Sequence, residues 1–361
     1  MNRRDVIKAL AITTQSAFLS SCASNAANPI LAVKPAPDLP APLRIPTNGI
    51  EMAVYRAGSG TPVVFCHGFP ELAYSWRHQF HSVVSAGFQA IAPDLRGYGL
   101  TDRPNSIEGY TTPKVCDDLI GMMDAFGIEK AIFCGHDWGG FLVDTMPVIY
   151  PERCAGIIGV GASNNQRPPG LSWPDQELPE LVDKEHWNQT MQRPGFAESL
   201  LDGNAHALFG IMFNPDYFNA SRLASLPVDS PERSMDLARM LTQTQFFNSS
   251  FVSETTFRYY VDTFNAKGFS GGLNWYRAME ATWREIDARA KTYQVEAPYL
   301  YIWPEQDPIA RMGLDNHMED YVADLEKYSI ENCGHFVMEE KPSELSALIV
   351  DWLERKYAND A

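Results

Sequence analysis

Gly135-His136-Asp137-Trp138-Gly139-Gly140 follows the apolar run Ala131–Cys134 and precedes Phe141-Leu142-Val143. Small residues around one central side chain, between a strand and a helix, form the pattern of a nucleophile elbow. Glycine is needed there because the turn is strained and its backbone passes close to neighbouring elements. The residue it lifts is Asp137, placed where a helix N-terminus favours a carboxylate. Such an Asp alone would more often be a helix cap. The flanking glycines and the partners described next favour a nucleophile. A carboxylate can displace at a saturated carbon, leaving an alkyl ester on the protein. Water then attacks the ester carbonyl, and an oxyanion hole serves that second step. Epoxides and alkyl halides are electrophiles suited to this chemistry.

The second step needs a base. His335, in Asn332-Cys333-Gly334-His335-Phe336, follows the last predicted strand near the C-terminus. It stands in the chain order nucleophile, acid, histidine. Its partner must hold one tautomer and stabilise the charged form. Asp307, in Trp303-Pro304-Glu305-Gln306-Asp307-Pro308, fits that role, with Glu305 as the rival. The loop after residue 160, Gly161-Ala162-Ser163-Asn164-Asn165, offers no acid. His67, in His67-Gly68-Phe69-Pro70-Glu71, reads as a structural histidine.

These residues need a scaffold that ends strands beside one another. Pro62–Cys66, Phe88–Ala92 and Ala131–Cys134 read as short buried strands, and Tyr299–Trp303 reads as a final strand ahead of a helical stretch and then Tyr328–Ile330. Continuous apolar runs of this kind suit a parallel sheet covered on both faces. Ser75–Ala86, Pro113–Phe126 and Ser343–Tyr357 read as helices, so the class is α/β. Residues 166–287 break the rhythm with four early prolines and then helical patterns dense in aromatics and methionine. They read as a helical cap inserted into a core made of residues 43–165 and 288–357.

Apolar residues make up 45% of the 361-residue chain and charged residues 20%, an ordinary globular balance. The formal net charge of −16 argues against binding to nucleic-acid phosphates or anionic membrane surfaces. After the N-terminus no run of 18 apolar residues suggests a later membrane span. Residues 1–22 read as an address. Arg3-Arg4 ahead of a mildly apolar stretch resembles a twin-arginine export signal, and Leu19-Ser20-Ser21-Cys22 resembles a lipobox that would lipidate Cys22. The expected location is the periplasm, with a lipid anchor as the only membrane contact. Cleavage before Cys22 would remove Arg3, Arg4, Lys8 and Asp5 and leave a net charge of −18. Residues 23–42, rich in Pro and Ala, read as an extended tether. Cys66, Cys116, Cys134, Cys154 and Cys333 would remain and are expected as buried free thiols.

HGFPE with YSWRHQ (Tyr74–Gln79), DLRGYG (Asp94–Gly99), GHDWGG, YPER (Tyr150–Arg153) and NCGH together resemble the epoxide hydrolases of the α/β-hydrolase fold. The resemblance covers nearly all of residues 43–357. It implies a mostly parallel eight-stranded sheet flanked by helices, with a cap, and hydrolysis of an epoxide ether bond to a vicinal diol. It implies oxyanion donors at the backbone N–H groups of Phe69 and Trp138, with Phe69-Pro70 a candidate cis peptide. Gly272-Leu273-Asn274-Trp275-Tyr276-Arg277 resembles the family segment carrying a ring-opening tyrosine, so Tyr276 is the expected acid. At the place of a second tyrosine stands His186-Trp187, making His186 a candidate second donor. Trp187, Trp275, Phe69 and Trp138 are expected to contact a small, mainly apolar epoxide. No metal or cofactor is expected, and water is the only cosubstrate. The competing reading is a haloalkane or fluoroacetate-type dehalogenase. Fluoroacetate dehalogenases, however, carry arginines where Trp138 and Phe141 stand. A more remote reading is a non-catalytic exported effector on a hydrolase scaffold.

Overall fold

Eight strands pair into one sheet: β1 (Leu43–Thr47), β2 (Ile50–Ala57), β3 (Pro62–Cys66), β4 (Gln89–Pro93), β5 (Ala131–His136), β6 (Cys154–Val160), β7 (Tyr299–Pro304) and β8 (Leu325–Ile330). Their spatial order is β1-β2-β4-β3-β5-β6-β7-β8. β1, β2 and β4 pair antiparallel, and every pair from β4 to β8 is parallel. The computed structural model describes residues 32–161 and 187–357, except positions 216, 218, 228–229, 231, 234–235, 244–248 and 310–316.

The central strands are apolar because both of their faces are covered. Val63, Val64, Phe65 and every residue of β5 are buried. Each such large side chain contributes about 1.5–3 kcal/mol on leaving water. Helices α1 (Arg77–Ser85), α2 (Thr112–Ala125) and α3 (Trp138–Ile149) alternate with strands in the first half of the chain. β1 and β2 form a hairpin through Asn48 and Gly49, whose φ values of 42° and 78° suit a tight two-residue turn.

Between β6 and β7 the described chain is helical. It comprises α4 (Trp187–Gln192), α5 (Phe196–Leu201), α6 (Ala205–Met212), α7 (Ala220–Ser225), α8 (Leu237–Gln243), α9 (Glu254–Lys267), α10 (Ser270–Arg277) and α11 (Met279–Arg289). Several bonds anchor these helices to the sheet-bearing part. The Trp275 indole N–H donates to the Arg96 carbonyl at 3.2 Å. The Thr112 N–H donates to the Thr282 hydroxyl at 3.1 Å. Arg289 pairs with Asp117 at 2.5 Å. After β8 come the short α12 (Val337–Glu340) and the long α13 (Pro342–Tyr357).

Part of the expected tether behaves differently from an extended linker. Ala36 is buried, and its N–H donates to the Tyr55 hydroxyl at 2.9 Å. His81 bonds the Asp38 carbonyl at 2.6 Å. Prolines at 35, 37 and 40 have little backbone freedom left to lose, so docking this stretch costs less than docking a flexible one. Residues 1–31, and with them the export signal, Cys22 and the first part of the tether, lie outside the described residues. The five remaining cysteines are all buried and unpaired with one another.

Candidate active site

The loops that follow β3, β5, β7 and β8 converge at the carboxyl ends of these parallel strands, where open α/β sheets place their ligands. Asp137 is the residue between β5 and α3, with φ 53° and ψ −120°. A non-glycine residue in such a conformation costs of order 1–3 kcal/mol and persists only where its surroundings impose it. Close packing imposes it here. A Cβ on Gly139 would lie 2.0 Å from the Cys66 carbonyl oxygen, and one on Gly68 would lie 2.4 Å from Oδ1 of Asp137. The α3 start and the loop after β3 can therefore meet only through glycine.

The two Asp137 oxygens have different surroundings. Oδ1 accepts the Phe69 N–H at 2.8 Å, and the Phe69–Pro70 peptide is cis. Oδ2 faces His335 Nε2 at 3.8 Å. On its other side the imidazole donates from Nδ1 to Oδ2 of Asp307 at 3.0 Å, and Oδ1 of Asp307 accepts the Ile309 N–H at 2.8 Å. Asp307 therefore meets His335, whereas Glu305 is only half-buried and engages the β8 end through its backbone N–H, 3.0 Å from the Ile330 carbonyl. The Trp138 backbone N–H begins α3 directly beside the carboxylate.

Asp307, His335 and Tyr276 are buried and Asp137 is partly buried, which sets the proton affinities. Burial alone lowers the proton affinity of His335, but the carboxylates of Asp307, Asp137 and Glu71 outweigh it and raise its pKa to about 9. Burial raises the Asp137 pKa, and the nearby His335 and His136 partly offset that rise. Tyr276 is pushed well above 10 by burial and by the Asp137 charge, so it stays a proton donor.

Tyr276 lies on α10, with its ring edge-on to Trp138 at 4.8 Å and to Phe69 at 5.4 Å. Asp137, His335 and Tyr276 are the polar groups among the described residues lining a cavity of about 550 Å³, counted to its open mouth. The rest of that lining is apolar, including Phe69, Met191, Ile211, Leu237, Met240 and Ile309. Trp275 does not line the cavity, contrary to expectation. Adjacent helical residues point about 100° apart, so when Tyr276 faces the cavity Trp275 turns toward Arg96 in the wall. Trp138 likewise packs beneath Tyr276 as support and is absent from the described lining. His186 and the side chain of Trp187 lie outside the described residues.

Two further buried groups stand behind the base. His136 Nε2 donates to the His335 carbonyl at 2.9 Å, and Nδ1 meets Oε1 of Glu71 at 2.6 Å. A carbonyl only accepts, so Nε2 carries a proton, and the Glu71 contact needs a second one. Burial alone would raise the Glu71 pKa, but the neighbouring histidines, His136 first, lower it. Glu71, His136 and His335 are also the one group of metal-ligand types close together among the described residues. Both His136 nitrogens are taken by protein partners, so the group is a hydrogen-bond network. Its sequence signal was slight: His136 ends β5 in GHDWGG, and Glu71 lies in the HGFPE loop after β3. His67 is structural: Nδ1 donates to the Gly68 carbonyl at 2.9 Å, and Nε2 accepts the Leu95 N–H at 3.0 Å.

A family model described as alpha/beta hydrolase fold matches residues 61–342. Similar proteins include bifunctional epoxide hydrolase 2 of Sus scrofa, 32% identical over 86% of this chain and 54% of its own length. The chain thus spans about half the length of that relative. Epoxide hydrolase A of Mycobacterium tuberculosis is 30% identical over 86% of this chain and 96% of its own. Among solved structures, epoxide hydrolase A from Mycobacterium thermoresistibile superposes with a TM-score of 0.77 at 30% identity, covering 87% of this chain and 98% of its own. An epoxide hydrolase from Vigna radiata gives 0.74 at 28% identity, with the same coverage.

Proposed function

Because the chain belongs to the α/β-hydrolase fold family, we propose that it is an epoxide hydrolase working through an alkyl ester of Asp137. The observation that carries this reading is the Asp137 carboxylate, held between the Phe69 N–H and His335 beneath the phenol-bearing α10. Oδ2, free of the Phe69 N–H, attacks an epoxide carbon. The C–O bond of the ring breaks, and its oxygen takes the Tyr276 proton. Alkoxide is a poor leaving group, so this proton is needed.

Oδ1 then becomes the ester carbonyl oxygen and already sits in its hole. Esterification removes the Asp137 charge, one of the carboxylates that hold the imidazolium, so the His335 proton leaves more readily. Neutral His335 takes a proton from water as the water oxygen bonds to Cγ of Asp137. The Phe69 and Trp138 N–H groups stabilise the resulting oxyanion. The proton that His335 gives up on esterification restores the Tyr276 phenol; on collapse the water-derived proton on His335 goes to the departing alkoxide, releasing the vicinal diol, and the acid proton left on Asp137 returns to His335. Epoxide and one water are consumed, and no cofactor is required. The apolar lining favours an uncharged epoxide, since the one cation among its described residues, His335, already faces Asp307 and Asp137. The Arg3-Arg4 and Leu19–Cys22 motifs support export and a lipid anchor.

The test is intact mass spectrometry of His335→Gln incubated with small epoxides and matched haloalkanes. The expected result is an adduct equal to the whole epoxide, mapped to Asp137. An adduct equal to the alkyl group without halogen, formed only with haloalkanes, would move the function to dehalogenation. No adduct from either set would sink the catalytic reading.

A further inference from the structure

Two adjacent carboxylates, Glu339 and Glu340, follow the His335 loop and turn to different sides. Glu340, the last residue of α12, turns back on that loop. Its Oε2 accepts the Gly334 N–H at 2.8 Å and its Oε1 accepts the Phe336 N–H at 3.2 Å. These are the two residues flanking His335, so one side chain grips the backbone on both sides of the imidazole. Glu339 points the other way and forms a two-pronged pair with Arg77 of α1 at 2.5 and 2.6 Å. Arg77 in turn lies 4.3 Å over the Tyr74 ring.

We propose that Glu340 is a positioning residue for the base, clamping the His335 loop so that Nε2 points at the water-attack side of Asp137. The inference rests on the reading of Asp137 as nucleophile and His335 as base. The geometry supports it in two ways. A carboxylate is the one side-chain group able to accept from two N–H donors at opposite ends of a peptide pair without carrying a donor of its own. The clamp also adds a fourth anion, beyond Asp307, Asp137 and Glu71, to the surroundings of the imidazole. Burial would penalise a carboxylate used only for packing, whereas here both of its oxygens are satisfied by backbone.

Glu340→Gln keeps the shape, but its amide can accept from only one of the two N–H groups and turns a donor toward the other. Glu340→Asp keeps the charge but is too short to span both. Single-turnover kinetics on the full-length variants separates formation of the alkyl ester from its hydrolysis. In both variants, ester formation should stay within about twofold of wild type. Hydrolysis should slow by on the order of 10- to 100-fold, the loss expected when a catalytic group drifts by a fraction of an ångström to one ångström. In Glu340→Gln the pH midpoint of hydrolysis should also fall, because an anion near His335 is gone.

A merely structural Glu340 would slow both steps together, in step with lowered thermal stability, and would leave the pH midpoint in place. That result, or wild-type hydrolysis in both variants, overturns the inference. If Glu340→Gln does not fold, the two rates of Glu340→Asp decide. Absence of an alkyl ester in the wild-type protein would instead overturn the nucleophile reading, and this inference with it.

Discussion

On the proposed mechanism the proton on His335 links the two half-reactions, because three carboxylates hold it in place at rest. Attack needs Asp137 ionised, whereas ester hydrolysis needs His335 neutral. The ester should therefore accumulate near pH 6 and turn over faster toward pH 9, which quench-flow mass analysis across that range will check. The same shift has a thermodynamic side. An unfolded histidine has a pKa near 6.5, and the folded one is raised to about 9. The imidazolium therefore contributes stability that is complete below about pH 6.5 and fades as pH rises through about 9. Comparing denaturation of wild type and His335→Gln across that window should show the difference shrinking with pH. At this scale, the meeting of Asp137, His335 and Asp307 was legible because each lies in the loop after a strand, in a motif whose spacing has few other uses. Glu71 and His136 were not singled out, since a polar residue after an apolar run is common and only the fold brings the two together. Trp275 was misread because its helix phase relative to Tyr276 depends on how α10 docks.

Close approach between elements shapes the elbow. Gly139 lets α3 start against the Cys66 carbonyl, with a hypothetical Cβ only 2.0 Å from that oxygen. Gly139→Ala must push β3 and α3 apart, or rebuild the Asp137 turn. The expected cost is several kcal/mol, on the scale of overpacking plus lost turn geometry. Thermal unfolding should show a marked drop in Tm, together with loss of ester formation. Apart from β6, which was not singled out, the parallel strands were readable from the sequence, and their observed ends differ by a few residues from that expectation. The β1–β2 hairpin was not identified, although Asn48-Gly49 between alternating residues is a strong local hairpin signal. The docking of residues 35–39 onto the domain was not legible either, because a Pro-rich stretch reads as a linker until a partner such as Tyr55 is known.

The whole molecule is anionic, and its first residues carry the Arg3-Arg4 and Leu19–Cys22 motifs. If Cys22 carries a lipid, Cys22→Ser should shift the protein from the membrane fraction to the soluble exported fraction. Its mass should drop by the lipid, which fractionation and mass spectrometry will read. The sheet itself is interrupted once. β6 and β7 are hydrogen-bonded neighbours, yet eight described helices lie between them in the chain. Closing a longer excursion costs only slowly more as it grows. Recognition can thus be rewritten in that interval while the proposed nucleophile, base and oxyanion donors stay with the sheet. On the proposed mechanism Tyr276 belongs to the exchangeable part. The ring-opening donor is therefore inherited together with substrate choice, and ester hydrolysis is inherited apart from both.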